Sequence, residues 1–327
     1  MHILIIGAAG MVGAKLTARL VKDGTLSGKP IDRMSLVDVV QPPLPAGAEF
    51  KVAASAADLT AAGAAERVII GRPEVIFHLA AIVSGEAEAD FEKGYRVNLD
   101  GTRFLFEAIR KQGEEYRPRV VFTSSIAVFG APFPEAIRDD FFTTPLTSYG
   151  TQKAIDELLL ADYTRRGFLD GIGIRLPTIC VRPGKPNLAA SGFFSNIIRE
   201  PLAGKEAVLP VPEGVRHWFA SPRSAVNFLI HAAGLDGAQV GTRRNITMPG
   251  LSVTVGEEIA ALRKVAGNSV ADRIKRVPDA TIMRIVEGWP RNFSAERGAA
   301  LGFRAEQSFE DIIRIHIEDE LGGTFVK

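Results

Sequence analysis

The chain has 327 residues, 46% of them hydrophobic, which is enough for one large α/β unit and a smaller second domain. Its 39 Lys and Arg against 38 Asp and Glu leave a net charge of +1 with no basic block, so neither nucleic acid nor an anionic membrane is expected as a partner. A single cysteine, Cys180, excludes an internal disulfide and a cysteine-based zinc site, and fits a reducing cytoplasm.

Along the chain, apolar runs at Ile3–Ile6, Met34–Asp38, Phe50–Ala53, Val75–Leu79, Val120–Thr123 and Gly173–Leu176 predict strands. The first of these is too short for a signal-peptide core and runs straight into glycines. No apolar run reaches the ~18 residues of a membrane span, so the expectation is a soluble cytoplasmic protein. Amphipathic stretches at Val12–Lys22, Ala89–Lys111 and Ser148–Arg165 predict helices, and the alanine-rich Ala53–Ala65 reads as a helix with its preceding turn. Buried strands alternating with helices indicate the α/β class, a Rossmann-type doubly wound parallel sheet that binds ligands beyond the carboxyl ends of its strands. After Leu176 the regularity breaks. A loop at Arg182–Gly192 precedes a helix at Phe194–Leu202, a strand at Arg243–Met248 and a helix at Ser308–Asp319. The expected division is a sheet domain over 1–176, with 220–250 returning to it, and a smaller domain over 177–327.

Gly7-Ala-Ala-Gly10-Met-Val-Gly13 follows the first strand and opens the first helix. Three glycines there permit a tight turn, close approach of a pyrophosphate and close helix–strand packing, while the helix N-terminus offers its N–H groups to phosphate. A tight turn with no ligand is the alternative. Asp38 ends the second strand, where a carboxylate can bind a ribose diol and would repel a 2′-phosphate, favouring NAD over NADP. Asp58-Leu59 follows the third strand and can meet an adenine edge or cap a helix.

Tyr149 and Lys153 stand four apart on a predicted helix and share a face. A tyrosine is a poor base at neutral pH until nearby positive charge favours its phenolate, and a lysine ammonium supplies such charge. Thr123-Ser124-Ser125 closes an apolar strand, so a serine there can hydrogen-bond a reacting oxygen while its neighbour serves the turn.

In order, the glycine loop, Asp38, Asp58-Leu59, His78-Leu-Ala-Ala81, Asn98 with Gly101-Thr102, Ser125, and Tyr149 with Lys153 resemble an extended short-chain dehydrogenase/reductase, the family that includes nucleotide-sugar epimerases and dehydratases. The resemblance implies that Tyr149 is the general base or acid, that Ser125 rather than Ser124 orients the substrate oxygen, and that Lys153 binds ribose and tunes Tyr149. It implies a water-linked proton route at Asn98. It implies NAD contacts from Gly7, Gly10, Met11, Val12, Gly13, Asp38, Asp58, Leu59, Leu79, Ala80, Ala81, Asn98, Tyr149, Lys153, Pro177 and Ile179, and no metal. Phe129 stands where most relatives carry tyrosine. Related enzymes often dimerise through two long helices, which here are Ala89–Lys111 and Ser148–Arg165, so a homodimer is expected.

The second half departs from the nucleotide-sugar pattern. Arg175-Leu-Pro-Thr-Ile-Cys-Val-Arg-Pro-Gly184 lacks the usual asparagine, and Arg216-His-Trp-Phe219 replaces an acidic segment. Ala80–Glu86, Arg182-Pro-Gly-Lys-Pro-Asn187 and Ala190-Ser-Gly-Phe-Phe194 resemble the D-erythronate dehydrogenase group of the family. That likeness implies oxidation of the C2 hydroxyl of a small sugar acid. Arg182 can clamp its carboxylate or form a surface ion pair, and Ser84, Ser125, Tyr149, Thr178 and Ser191 can reach the rest of it. The five histidines, His2, His78, His217, His231 and His316, show no metal-ligand spacing, and His78 reads as a hydrogen-bonded structural residue. Two other readings stay open: an epimerase or dehydratase with tightly held NAD, and a non-catalytic dinucleotide sensor.

Overall fold

The computed structural model describes residues 1–184 and 191–327, which form two compact units. The first contains residues 1–128, 145–176 and 226–247. Its sheet has strands β1 (His2–Ile6), β2 (Arg33–Asp38), β3 (Lys51–Ala56), β4 (Val75–His78), β5 (Arg119–Ser125), β6 (Asp170–Leu176) and β7 (Asn245–Thr247). Their order is β7-β6-β5-β4-β1-β2-β3, and every neighbouring pair is parallel. This is the doubly wound α/β arrangement expected from the alternating pattern. The order reverses between β1 and β4, the place where such sheets leave a crevice at their carboxyl edge. Central strands read as continuous apolar runs because both faces are covered: β4 is buried at all four positions, and β1 from Ile3 onward.

The helices of this unit include α1 (Met11–Asp23), α2 (Ala64–Ile69), α3 (Ser84–Ala89), α4 (Phe91–Gly94), α5 (Gly101–Lys111) and α6 (Ser148–Arg165). Two expectations need correction. Ala53–Ala65 is not a helix: its first part belongs to β3, because parallel pairing with β2 outweighs the helix preference of alanine, and α2 begins only after Gly63 in a left-handed conformation. Ala89–Lys111 is not one continuous helix. Asp90 leaves helical geometry and its carboxylate caps α4 at Lys93, and a π-helical turn over Tyr95–Asp100 then separates α4 from α5.

The second unit comprises residues 129–144, 177–225 and 248–327. Segment 129–144, expected in the first domain, belongs here because Ile137–Arg138 pairs with Phe293–Ser294 and the Phe129 ring packs on Phe293. A three-stranded sheet joins Thr178–Ile179 parallel to Arg216–Ala220, which runs antiparallel to Leu251–Thr254. Helices Gly192–Leu202, Val255–Ala266 and Phe309–Leu321 cover a core that includes Phe194, Phe219, Leu262 and Ile313. Two of them have side-chain caps, a Thr254/Glu257 capping box and Ser308. The expected strand at Arg243–Met248 is shorter, Asn245–Thr247, and lies in the first unit beside β6. Among the described residues no helix is long and apolar enough to cross a membrane.

Candidate active site

The glycine loop turns from β1 into α1. Gly7 adopts φ +91°, and a Cβ there would lie 2.6 Å from the backbone nitrogen of Ala80, just beyond β4. Gly13 packs so closely under the loop that a Cβ would overlap the Gly7 carbonyl and sit 2.8 Å from Cα of Ala8. Gly10 differs. It is exposed, and a Cβ there would meet only the Gly7 oxygen at 3.3 Å. Gly7 and Gly13 are therefore demanded by the fold, while the space beside Gly10 is a cradle that any side chain would fill. Gly10 caps α1 without a side-chain hydrogen bond, so the first-turn N–H groups, including those of Met11 and Val12, face this cradle's end of the helix. Leu79, Ala80 and Ala81 continue from β4 as a half-buried segment, with the Leu79 N–H on the Ile6 carbonyl.

Asp38 closes β2. Its Oδ2 accepts the Ala9 N–H at 2.9 Å and its Oδ1 the Val39 N–H at 2.7 Å, which fixes the carboxylate against the loop. Each oxygen keeps further lone-pair capacity for a diol. Asp58 is exposed and accepts from the Thr60 N–H and hydroxyl, an Asx turn, whereas the Leu59 side chain is spent in the core.

Tyr149 and Lys153 lie in the first turns of α6. Thr147 caps the helix by accepting the Gly150 N–H at 3.1 Å, and Glu88 of α3 accepts the Ser148 N–H at 3.0 Å. Gly150 lets this turn press against Ala127, two residues past Ser125; a Cβ there would come 3.0 Å from the Ala127 carbonyl carbon and overlap its oxygen. The Lys153 ammonium lies 4.5 Å from the Phe122 ring centroid and 5.8 Å from that of Tyr149. Only 2% of Lys153 is exposed. Burial pulls its pKa down to about 8, against the opposing pull of Asp156 and Glu157.

The two serines separate clearly. Ser124 is buried and donates to Glu157 Oε1 at 2.6 Å, while Arg175 grips the same carboxylate through Nε at 2.8 Å and Nη2 at 2.7 Å. Ser125 is half-buried and its Oγ accepts the Ala127 N–H at 3.1 Å, a bond that leaves its proton available. Asn98 sits in the π-helical turn. Its Oδ1 accepts the Ile82 N–H at 2.9 Å, and its Nδ2 donates to the Ile82 carbonyl and, at 2.7 Å, to Gln152 Oε1 on α6. His78 ends β4, with Nε2 2.9 Å from the Thr102 hydroxyl; burial lowers its pKa to about 3, so it is neutral. Ser84 opens α3 in a half-buried position.

In the second unit, Pro177 and Ile179 are buried and Thr178 between them is half-buried. The Thr178 hydroxyl lies 2.7 Å from His217 Nε2. Arg182 donates from Nε to the Ile179 carbonyl at 3.1 Å, its N–H meets Ser195 Oγ, and its carbonyl accepts from Arg199. Ser191 is half-buried just before the helix Gly192–Leu202. Lys185–Asn187 and Ala190, part of the expected sugar-acid pattern, lie outside the described residues.

Sequence reasoning missed Glu157, Arg175, Gly150, Gln152 and Asp156. Asp156 and Glu157, three and four residues after Lys153 on one helix face, carried a spacing signal. The rest take their roles from partners distant in the chain.

A glycine-lined cradle at a helix N-terminus, a carboxylate at the end of β2 and a Tyr/Lys pair beside a serine define the class: a dinucleotide-dependent Rossmann protein. Residues 3–219 match the NAD dependent epimerase/dehydratase family, and the chain belongs to it. It is 49% identical over 323 residues to a D-erythronate dehydrogenase of Cupriavidus necator, covering 98% of both chains. It is 41% identical to a D-erythronate dehydrogenase of Haemophilus influenzae, covering 98% of this chain and all of that one. A crystal structure described as the nucleoside-diphosphate-sugar epimerase from Agrobacterium tumefaciens superimposes with a TM-score of 0.97 at 69% identity, covering 99% of this chain and 95% of that one.

NAD is the cofactor of the family, and the residues present fit it. The cradle at Gly10 would hold a pyrophosphate, Asp38 would take a ribose diol, and the buried Lys153 ammonium would hold a second ribose.

Proposed function

We propose that the protein oxidises the C2 hydroxyl of a small sugar acid, D-erythronate, to the 2-oxo acid. The observation that carries this reading is full-length similarity, at 49% and 41% identity, to two D-erythronate dehydrogenases. The departures from the nucleotide-sugar pattern over Arg175–Gly184, which lacks the usual asparagine, and at Arg216-His-Trp-Phe219, which replaces an acidic segment, accord with it.

NAD, when bound, supplies the hydride acceptor. The side chains manage the proton and the geometry. Tyr149 as phenolate takes the proton of the C2 hydroxyl, and Lys153 as ammonium favours that phenolate and holds the ribose. Ser125, with its proton available, orients the substrate oxygen. Ser124 has no part in the chemistry, because its hydroxyl is committed to Glu157. Asn98 acts first by tying the Ile82 backbone to α6 through Gln152, and a water-linked proton route at Asn98 is part of the same proposal. Ser84, Thr178, Arg182 and Ser191 are assigned to the substrate, with Arg182 as the carboxylate ligand. A homodimer through α5 and α6 completes the reading; light scattering at the monomer mass would remove that part.

The solved relative described as a nucleoside-diphosphate-sugar epimerase supports a second reading, in which a sugar nucleotide is converted with no net change in NAD. A substrate panel separates them. NADH accumulating with D-erythronate and not with UDP-glucose supports the first reading, whereas isomerised UDP-sugar without NADH supports the second. Tyr149→Phe should abolish turnover and leave NAD binding in place.

A further inference from the structure

Among the described residues of the second unit, the buried His217 has both ring nitrogens in hydrogen-bonding range of named partners. It lies in Arg216–Ala220 and is 3% exposed. Phe194 stacks parallel to its ring at 5.2 Å, Trp289 lies 5.3 Å away and Phe219 meets it edge-on at 5.4 Å. Its Nδ1 is 2.9 Å from the Pro290 carbonyl and its Nε2 is 2.7 Å from the Thr178 hydroxyl.

A carbonyl oxygen can only accept, so Nδ1 carries a proton. Burial among aromatic rings pushes the pKa of His217 down to about 4, so the ring holds one proton at neutral pH. Nε2 is therefore bare and can only accept. The single hydrogen of the Thr178 hydroxyl goes to it, and the threonine oxygen is left with lone pairs alone.

We infer that His217, locked by the Pro290 carbonyl, makes Thr178 an obligate hydrogen-bond acceptor that selects substrates presenting a hydroxyl donor. This rests on the assignment of Thr178 to the substrate made above and deepens it. A hydroxyl of a polyhydroxy acid meets the requirement. A carboxylate or phosphate oxygen does not, since two acceptors face each other. Thr178 thus reads a hydroxyl other than the one being oxidised, and His217 is a positioning residue that acts through it.

The test compares D-erythronate with its 3-deoxy and 4-deoxy analogues in the wild type, Thr178→Ser and Thr178→Val. The wild type and Thr178→Ser should lose about tenfold or more in kcat/KM on one analogue, the order expected when a buried acceptor loses its donor. Thr178→Val should act on that analogue and on D-erythronate within about twofold of each other. A valine variant that keeps the wild-type preference overturns the inference. Side-chain 15N resonances of His217 in the unliganded protein decide it independently: a protonated Nδ1, a bare Nε2 and no titration between pH 9 and pH 5 are expected. A proton on Nε2, or a midpoint inside that range, overturns it. If the wild type oxidises no sugar acid, the functional reading fails, and the tautomer still settles whether Thr178 is an acceptor.

Discussion

Glu157→Gln is the substitution whose cost the structure defines best. The carboxylate is 3% exposed, takes two bonds from Arg175 and one from Ser124, and ties α6 to β5 and β6. Glutamine keeps the shape but removes the charge, so the Arg175 guanidinium, 11% exposed, loses its ion pair with Glu157. Removing one member of a buried pair costs about 3–5 kcal/mol. That is a large share of the roughly 5–15 kcal/mol that holds a domain folded. At about 2–4 °C per kcal/mol for a unit of this size, the melting temperature should fall by roughly 6–20 °C. Turnover should fall as well, since α6 carries Tyr149 and Lys153 while β5 ends at Ser125. Thermal unfolding of the variant checks the first claim. Ser124→Ala, which removes one bond to a charged group, should cost about 1.5–3 kcal/mol and leave turnover within a few-fold. Replacing both charges, Glu157→Leu with Arg175→Met, should recover much of the stability that Glu157→Gln loses, because no buried charge is left alone. A Glu157→Gln variant melting within about 2 °C of wild type would refute the reasoning.

Further outcomes follow from the loop and the Tyr149/Lys153 pair. Gly13→Ala should unfold or strongly destabilise the first unit, whereas Gly10→Ala should melt near the wild type yet lose NAD affinity by about 100-fold, measured by calorimetry. Equal stability loss in both would contradict the division between fold and cradle. The depressed pKa of Lys153 means that its ammonium is present below pH 8 and lost as pH rises through about 8. NAD affinity should therefore weaken across that range, and Lys153→Met should remove the step; a flat profile in the wild type would count against the ribose contact. Asp38→Asn should narrow the preference for NAD over NADP, read from the two kcat/KM values, and an unchanged ratio would release Asp38 from that role.

The central strands were legible because they are buried on both faces, so hydrophobic runs and strands coincide at β1, β4 and β5, whereas the exposed edge strand β3 was only half read. The helix Ser148–Arg165 was legible from its pattern, and the structure adds Thr147 as its cap. Alanine misled in Ala53–Ala65, where pairing with β2 decides the conformation and local propensity does not. The break at Asp90 was invisible to a hydrophobic period, which continues across the cap and the π turn. Ser124 and Ser125 could not be told apart from adjacency alone, because what separates them is a carboxylate 33 positions away. Thr178 and His217 are 39 residues apart, and nothing local to either shows that one sets the polarity of the other.

The central claim is oxidation at C2, and deuterium at that carbon tests it most directly. With D-erythronate labelled at C2, purified protein and NAD, the account predicts NADH carrying the deuterium, one equivalent for each 2-oxo acid formed. Unlabelled NADH would place the oxidation at another carbon. No NADH at all, with turnover of a sugar nucleotide instead, would contradict the account outright.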